Sequence, residues 1–318
     1  MKAARIRVRP FRAEDLDAVA SLARETIGED APSTAQLARD FLLDPGFALE
    51  DLLIAEQGAR LAGFLLGPRL RPPTPADDAS QYRTLWIAAF GVRPDRRRRG
   101  IATALLRRAL DAAARDDLRR VDVADFPVRY LVPGIDPVAS AAAHSLLVDR
   151  FGFRQRDSVA SMGIELAGLP ERQDDGGGQI RRLDAGEIPL VRDFLRDAFG
   201  WSWWLHMARA LDARLAGAAT PGDILVAWDG GVPVGVVHHN GARFGPLAVA
   251  ERARGRGLGT RLTQAALAGM RDQGLGRAHF LIADAPAERF YGHLGFTVLR
   301  RFERLTLELT PVPPLGAG

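Results

Sequence analysis

Apolar and polar positions along the chain predict the same series of elements twice. Near the N-terminus, a short strand-like run precedes apolar residues at Leu16, Val19 and Leu22, which have helical spacing. Two strand-like runs joined by a glycine-containing turn follow at 51–67, and a second pair of this kind lies at 223–239. Each half then has an almost unbroken apolar run, typical of a strand covered on both faces.

The clearest repeat is a segment rich in arginine and glycine that follows this run in each half. Residues 90–110 and 247–267 align without gaps, so that Arg97 corresponds to Arg254. Apolar residues resume a helical spacing after the second of these segments. The repeat therefore predicts strand, glycine-rich turn and helix at both positions.

The two halves predict two tandem units of one fold. We expect them to span 1–168 and 178–311, joined by a polar, glycine-rich linker at 169–177 and followed by a flexible tail at 312–318. Strands mixed with amphipathic helices predict an α+β fold, in which each unit is a twisted mixed sheet with helices on both faces.

Composition excludes several kinds of site. The 318 residues include no Cys, which removes disulfides, thiolate metal sites and a Cys nucleophile. No apolar run approaches ~18 residues and no apolar leader is visible, so we expect a cytoplasmic protein without a membrane partner. The net charge is only +4, from 43 Lys+Arg against 39 Asp+Glu, which argues against a nucleic-acid partner.

The second arginine–glycine segment has the features of an anion-binding loop. A strand leads in and a helix leads out, so backbone N–H groups and the positive helix end converge. Glycines let an anion approach the backbone, and arginines add charge. The loop candidates are Arg254, Gly255, Arg256, Gly257, Leu258, Gly259 and Thr260, and in the first half Arg97, Arg98, Arg99, Gly100, Ile101 and Ala102. The segment lacks the Lys-Ser/Thr of a P-loop and the GxGxxG spacing of dinucleotide sites.

On these residues the chain resembles the GNAT superfamily of N-acetyltransferases, once in each half. The resemblance consists of Arg-x-x-Gly-x-Gly/Ala between a strand and a helix, and in the second half of a closing motif, Ala287-x-x-Phe290-Tyr291-x-x-x-Gly295-Phe296. It implies a strongly twisted mixed sheet in which acetyl-CoA lies in a split between two neighbouring parallel strands.

The resemblance also implies an activity and roles for residues. The activity is transfer of an acetyl group from acetyl-CoA to a primary amine of a small molecule, in a direct-transfer ternary complex in the second unit. The loops would hold the pyrophosphate, Tyr291 would protonate the CoA thiolate, and Asp284 stands where many members have an Asn that contacts the cofactor. The strand amides implied to bind the pantetheine are those of Leu247, Ala248 and Val249, with Val92 at the corresponding position of the first unit.

The first unit departs from this pattern at the proton donor. Val148 stands at the position of Tyr291, counted from the Gly-Phe pair, so we expect a divergent unit that can bind CoA but does not catalyse by this route. Tyr130, in an inserted segment, is the alternative donor. His238 and His239 are candidate bases, and because they are adjacent in a strand at most one can face the substrate. A surface histidine and a proton relay through water remain open, and no metal site is predicted.

Rival interpretations are acetylation of a protein N-terminus or lysine, a non-catalytic acyl-CoA sensor, and nucleic-acid binding through the arginine run. The chain is expected to be a monomer with an intramolecular pseudo-dimer, or a homodimer. The three tryptophans at 201, 203 and 204 could form an aromatic lid, part of the core or packing between domains. Asp122 and Asp125 are expected to face solvent.

Overall fold

The computed structural model describes residues 5–28, 31–58, 60–124, 126–127, 131–169, 179–215 and 224–310. Contacts divide the chain into a first unit, which holds the residues up to Ser158 and those from Phe302, and a second unit, Val159–Arg301. This division is based on contacts between residues and joins both ends of the chain in one unit. The domain limits 1–168 and 178–311 therefore stay a prediction. Residues 170–177 of the predicted linker, the predicted tail, Asp125 and Tyr130 lie outside the described residues.

The elements follow the predicted series closely. The strands are β1 (Ile6–Pro10), β2 (Leu52–Gln57), β3 (Arg60–Leu66), β4 (Thr84–Trp86), β5 (Ala89–Val92), β6 (Arg120–Val123), β7 (Arg154–Glu165), β8 (Gln179–Arg182), β9 (Ile224–Asp229), β10 (Val232–Asn240), β11 (Arg243–Val249), β12 (Arg277–Ala283) and β13 (Thr297–Glu308). The helices are α1 (Leu16–Ile27), α2 (Thr34–Leu37), α3 (Ile101–Arg115), α4 (Ala141–Ser145), α5 (Ile188–Phe199), α6 (Trp201–Leu215), α7 (Leu258–Asp272) and α8 (Ala285–His293). Among the described helices, none combines the length and apolar character needed to cross a membrane.

In the first unit, the strands form two ladders. One ladder is antiparallel in the order β1-β2-β3-β5, and in the other β4 lies parallel to β6, which pairs with the end of β13. The apolar run at 84–92, which predicts one strand, is interrupted after Trp86. Its first part pairs with β6 and its second part with β3, so neighbouring parallel strands separate at this point.

In the second unit, one series of strands runs from β8 through β9, β10 and β11 to β12 and the end of β7. The only parallel pair among them is β11 with β12. Its two faces carry separate clusters: Val237 of β10 packs with residues of α7, whereas Val236 packs with residues of α5 and α6. Helices therefore cover both faces, as predicted, because successive strand residues point to opposite sides.

The last strand of each half of the sequence crosses between units along its length. Residues from Val159 onward in β7 belong to the second unit and pair with β12, whereas residues from Phe302 onward in β13 belong to the first unit and pair with β6. Leu305 is 1% exposed in the first unit's core. In that unit His144 Nε2 also lies 2.8 Å from Glu303 Oε2. The first unit therefore needs the end of the chain to complete its sheet.

The expectation that Asp122 faces solvent is wrong. Asp122 on β6 is 1% exposed, and it accepts hydrogen bonds from Arg156 at 2.9 Å and from Thr306 at 2.7 Å. Arg156 and Thr306 are distant in sequence, so alternation along β6 alone gave no sign of these partners. Because a buried carboxylate needs such partners, Asp122 belongs to the structure of the first unit.

We predict that Leu305→Ala destabilises the first unit selectively. Removing a buried leucine side chain typically costs about 2–5 kcal/mol, and here the loss falls on the pairing of β13 with β6. Hydrogen exchange should accelerate in β6 and leave β12 protected. Leu299→Ala is the matched control, because Leu299 is on the same strand but 54% exposed in the second unit. Equal loss of protection in β6 and β12 would contradict the assignment.

Candidate active site

The candidate site of the second unit lies where the two parallel strands separate. Arg243 and His279 form the only register pair between β11 and β12, and the His279 N–H donates to the carbonyl of Ala242. Beyond this pair the strands are no longer hydrogen-bonded to each other, which leaves an opening between them. A register shift in β11 at Gly245 and Pro246 lies just past the branch point.

The register of β11 shows which backbone groups face this opening. The Ala250 N–H donates to the carbonyl of Val234, so in this antiparallel ladder residues 248 and 250 bond to β10. The N–H and C=O groups of Leu247 and Val249 consequently point away from β10, toward the opening. Of the three strand candidates, Ala248 has its backbone groups taken by β10, whereas Leu247 and Val249 present theirs to the opening.

The loop after β11 leads directly into α7. Gly255 and Gly257 have φ of 75° and 71°, in the left-handed region that favours glycine. No side chain caps the N-terminus of α7, so first-turn N–H groups of Leu258, Gly259 and Thr260 have no partner within the helix. The loop residues from Arg254 to Gly257 are exposed. This arrangement exposes unpaired donors and the positive end of a helix next to the opening.

Gly259 marks the point where three elements meet. A Cβ added there would lie 3.3 Å from Cζ of Phe290 on α8 and 3.9 Å from Cγ2 of Val249 on β11. In the first unit, Ala102 occupies the position of Gly259 and the smaller Leu147 that of Phe290. The Phe290 ring therefore leaves little space for a side chain at position 259.

Tyr291 lies at the branch point of the two strands. Its ring centroid is 4.5 Å from that of Phe280, the residue after His279, and 5.9 Å from that of Phe244, the residue after Arg243. Tyr291 is 8% exposed, and burial raises the pKa of its hydroxyl above the ordinary value. The hydroxyl is therefore protonated at neutral pH and can act as a donor.

Asp284 has a structural task at the start of α8. Its carboxylate accepts a hydrogen bond from the Ala287 N–H at 2.9 Å, which caps the helix. Pro286 lies in the first turn and Gly295, with φ of 91°, follows the helix end. This cap positions α8, and with it Tyr291, over the branch point.

The two candidate bases are both buried on β10. His238 is 8% exposed, and its Nδ1 has no hydrogen-bond partner among the described residues. Burial, with smaller effects from His206 and His239, lowers the pKa of His238 to about 3, despite a hydrogen bond with the Gly245 backbone. His239 is fully buried, and its Nδ1 lies 3.3 Å from the carbonyl of Gly241. His238 is therefore a neutral imidazole at physiological pH.

The first unit keeps the loop but not the tyrosine. Gly100 precedes α3 with φ of 82°, and no side chain caps that helix. Val92, like Val249, belongs to a non-hydrogen-bonded pair of its ladder, because the adjacent Arg93 N–H donates to Ala62. Val148, at the position of Tyr291, is half-buried against apolar residues and has no proton to donate.

Sequence reasoning missed two features of the second unit. The register shift at Gly245 and Pro246 was detectable, because proline within a strand indicates an edge or a bulge. The position of α6 was not: its Trp203 and Trp204 pack against an apolar cluster that includes residues of α5, and its His206 lies near His238. The tryptophans thus contribute to packing while remaining partly exposed.

Comparison with known proteins gives consistent matches in both halves of the chain. A model of the acetyltransferase (GNAT) family matches residues 16–128 and 188–296. A mycothiol acetyltransferase from Actinosynnema mirum is 32% identical over 225 residues, which cover 66% of this chain and 71% of that protein.

Solved structures share the fold over almost the whole chain. A tandem GNAT protein from the clavulanic acid biosynthesis pathway has a TM-score of 0.69 at 20% identity, covering 97% of this chain and 100% of that one. The GCN5-related glucosamine N-acetyltransferase region of a fungal multi-domain β-N-acetylglucosaminidase has a TM-score of 0.74 at 15% identity. That match covers 96% of this chain but only 38% of the fungal protein.

We predict that the effect of Gly259→Ala on stability changes sign with the residue at position 290. In the original chain the new methyl meets the Phe290 ring at 3.3 Å, and we expect this contact to outweigh the gain of about 1 kcal/mol that alanine brings to a helix. After Phe290→Leu the methyl has room, so the substitution should stabilise. Urea unfolding of the two single variants and the double variant measures this coupling. An identical effect in both backgrounds would show that the ring does not constrain Gly259.

We predict that His238 makes the protein less stable in acid. Between its folded pKa of about 3 and the ordinary value near 6.5, the unfolded chain binds a proton that the folded chain does not, so stability falls as pH decreases through this window. His238→Gln should lose less stability between about pH 7 and pH 4.5 than the original chain. His293→Gln, which alters an exposed histidine, is the control. Parallel pH dependence of the original chain and His238→Gln would refute the burial effect.

Proposed function

Because the chain belongs to the acetyltransferase (GNAT) family, we propose that its second unit transfers an acetyl group from acetyl-CoA to a primary amine of a small molecule. The observation that carries this proposal is the opening between β11 and β12, bordered by unpaired strand amides, an uncapped helix and Tyr291. The first unit shares the opening and the loop, but Val148 removes the proton donor.

The residues at the opening fit an acyl-CoA. Leu247 offers its N–H and C=O groups for the amides of the pantetheine, in the manner of an added strand. The loop at 254–260 offers N–H groups and arginines for a diphosphate. At Gly255 and Gly257 an added Cβ would meet no heavy atom within 4 Å, so the space beside the loop backbone is open. Acetyl-CoA would supply the activated acyl group as a thioester.

Tyr291 acts as the acid in this proposal. A tyrosine hydroxyl is protonated at neutral pH, because its ordinary pKa is about 10, and the ring of Tyr291 lies beside the start of the opening. The proton passes from Tyr291 to the sulfur as the bond between carbonyl carbon and sulfur breaks. The Val249 N–H, unused by β10, is available to stabilise developing charge on the carbonyl oxygen.

The proton of the attacking amine needs another route. The burial that keeps His238 neutral also makes it a weak proton acceptor, since its pKa is about 3. His239 has no exposed surface. We therefore propose that the amine loses its proton to water, and that His238 can at most accept a hydrogen bond from the bound amine through its unpartnered Nδ1.

The relative at 32% identity favours a small-molecule acceptor over a protein acceptor, because its name refers to mycothiol. The tandem arrangement also allows unequal roles. In the first unit, Gly100 and the uncapped α3 support cofactor binding, whereas Val148 argues against transfer by this route. A non-catalytic acyl-CoA site is therefore the second candidate function, and it applies to the first unit.

We predict that Tyr291→Phe lowers kcat by at least ~10²-fold, because a positioned acid typically contributes ~10²–10⁴-fold. The affinity for CoA should change little, since the ring and its packing are kept. The measurement is thiol release from acetyl-CoA with a panel of amino sugars and other small amines as acceptors. A peptide with a free N-terminus and a lysine-containing peptide are tested as alternative acceptors. Calorimetric titration with CoA gives the affinity.

Tyr82→Phe is the matched control, because Tyr82 lies in the first unit and its hydroxyl bonds the carbonyl of Thr74. It should leave turnover unchanged. Unchanged turnover in Tyr291→Phe would refute the assigned acid. Binding of CoA without thiol release from acetyl-CoA in the presence of any of these amines would favour the acyl-CoA sensor. A preference for the peptides would favour protein acetylation.

A further inference from the structure

The two loops share a side-chain hydrogen bond that the family motif does not explain. In the second unit, Arg254 Nε donates to the carbonyl of Val249 at 3.1 Å. In the first unit, Arg97 Nε donates to the carbonyl of Val92 at 3.3 Å. The pairs occupy corresponding positions, so the same contact forms twice in loops of different sequence.

The accepting carbonyl is one that the sheet leaves unused. Val249 belongs to a non-hydrogen-bonded pair of the β10–β11 ladder, so its C=O points toward the opening. Arg254 occupies this carbonyl and joins the end of β11 to the first residue of the loop. The Val249 N–H stays available, whereas its C=O already has a donor.

The contact accompanies a fixed loop conformation. Gly255 and its counterpart Arg98 both have left-handed backbone, with φ of 75° and 61°. For a residue with a side chain this conformation costs about 1 kcal/mol or more. The first unit nevertheless keeps the conformation at Arg98, which indicates that surrounding contacts such as that of Arg97 hold the loop in place.

The neighbouring arginine behaves differently. Arg256 is exposed, and within the part of the chain that the structure describes it has no hydrogen bond or ion pair. Arg254 is also exposed, but its Nε is engaged. The two arginines of one loop thus differ in what their side chains do before any ligand binds.

We propose that Arg254 is a positioning residue, which holds the loop through the Val249 carbonyl, and that Arg256 supplies the charge that attracts the diphosphate. The inference rests on the proposed function for the identity of the ligand. It divides between two residues what the sequence motif assigns to both as cofactor contacts.

Glutamine separates the two roles at position 254. Its amide nitrogen lies the same number of bonds from Cα as the Nε of arginine, so Arg254→Gln keeps a donor for Val249 and deletes the charge. Arg254→Lys keeps the charge but has no nitrogen at that position. We expect Arg254→Ala to weaken CoA binding about tenfold, Arg254→Gln to recover most of the loss, and Arg254→Lys to recover little.

Substitutions of Arg256 are the matched control, and for them we expect the opposite order of CoA affinities. Arg256→Lys should retain most of the affinity, whereas Arg256→Gln should weaken binding and reduce its dependence on salt, because a charge interaction is screened. Calorimetric titration of the full chain with CoA, at low and high salt, measures both series. Rescue of position 254 by lysine rather than glutamine would overturn the proposal.

A measurement without ligand keeps the two proposals separable. Hydrogen exchange of the amides at 250–260 should accelerate in Arg254→Ala and stay near the original rate in Arg254→Gln and in every Arg256 variant. If the original chain fails to bind CoA, the proposed function is wrong, and the exchange rates still decide the role of Arg254. Equal exchange in Arg254→Ala and Arg254→Gln would refute the positioning role.

Discussion

Two parallel strands that pair at one end and then separate determine the rest of this structure. Once β11 and β12 part after Arg243 and His279, every second backbone group along β11 loses its neighbour. Backbone N–H and C=O groups need partners, so an opening bordered by them suits an extended ligand with amides of its own. The loop, α7 and α8 are arranged around this opening, and Arg254 supplies a partner for one of its carbonyls.

The two units share the loop before the helix but differ in the residues that pack around it. Both have a left-handed glycine before a helix without a side-chain cap, at Gly100 and Gly257, so the backbone geometry of the loop is common to them. They differ in the packing beneath the helix, where Leu147 and Phe290 correspond, and in the residue at the branch point, where only the second unit has a tyrosine. The two units therefore share the loop geometry, whereas only the second has a tyrosine hydroxyl at this position.

Much of the fold could be predicted from local pattern. Helical spacing located α1 and α7, and Asp284, Pro286 and Gly295 are residue types that favour the start, the first turn and the end of a helix such as α8. The prediction for Asp122 was wrong because its partners come from Arg156 and Thr306, which no local pattern connects to it. The sequence also could not predict the protonation state of His238, because burial in the folded chain is what lowers its pKa.

The sequence by itself determined the repeat, the order of the elements and the glycine-rich turns before α3 and α7, because each depends on residue types at short spacing. The roles of these turns and of Tyr291 stay predictions. Only the tertiary structure decided which amides face the opening, since register depends on the pairing of β10 with β11. It also decided that the first unit is completed by the end of β13. The physical reason is the same in both cases: the hydrogen-bond partners of a strand in a sheet belong to other strands, which can be distant along the chain.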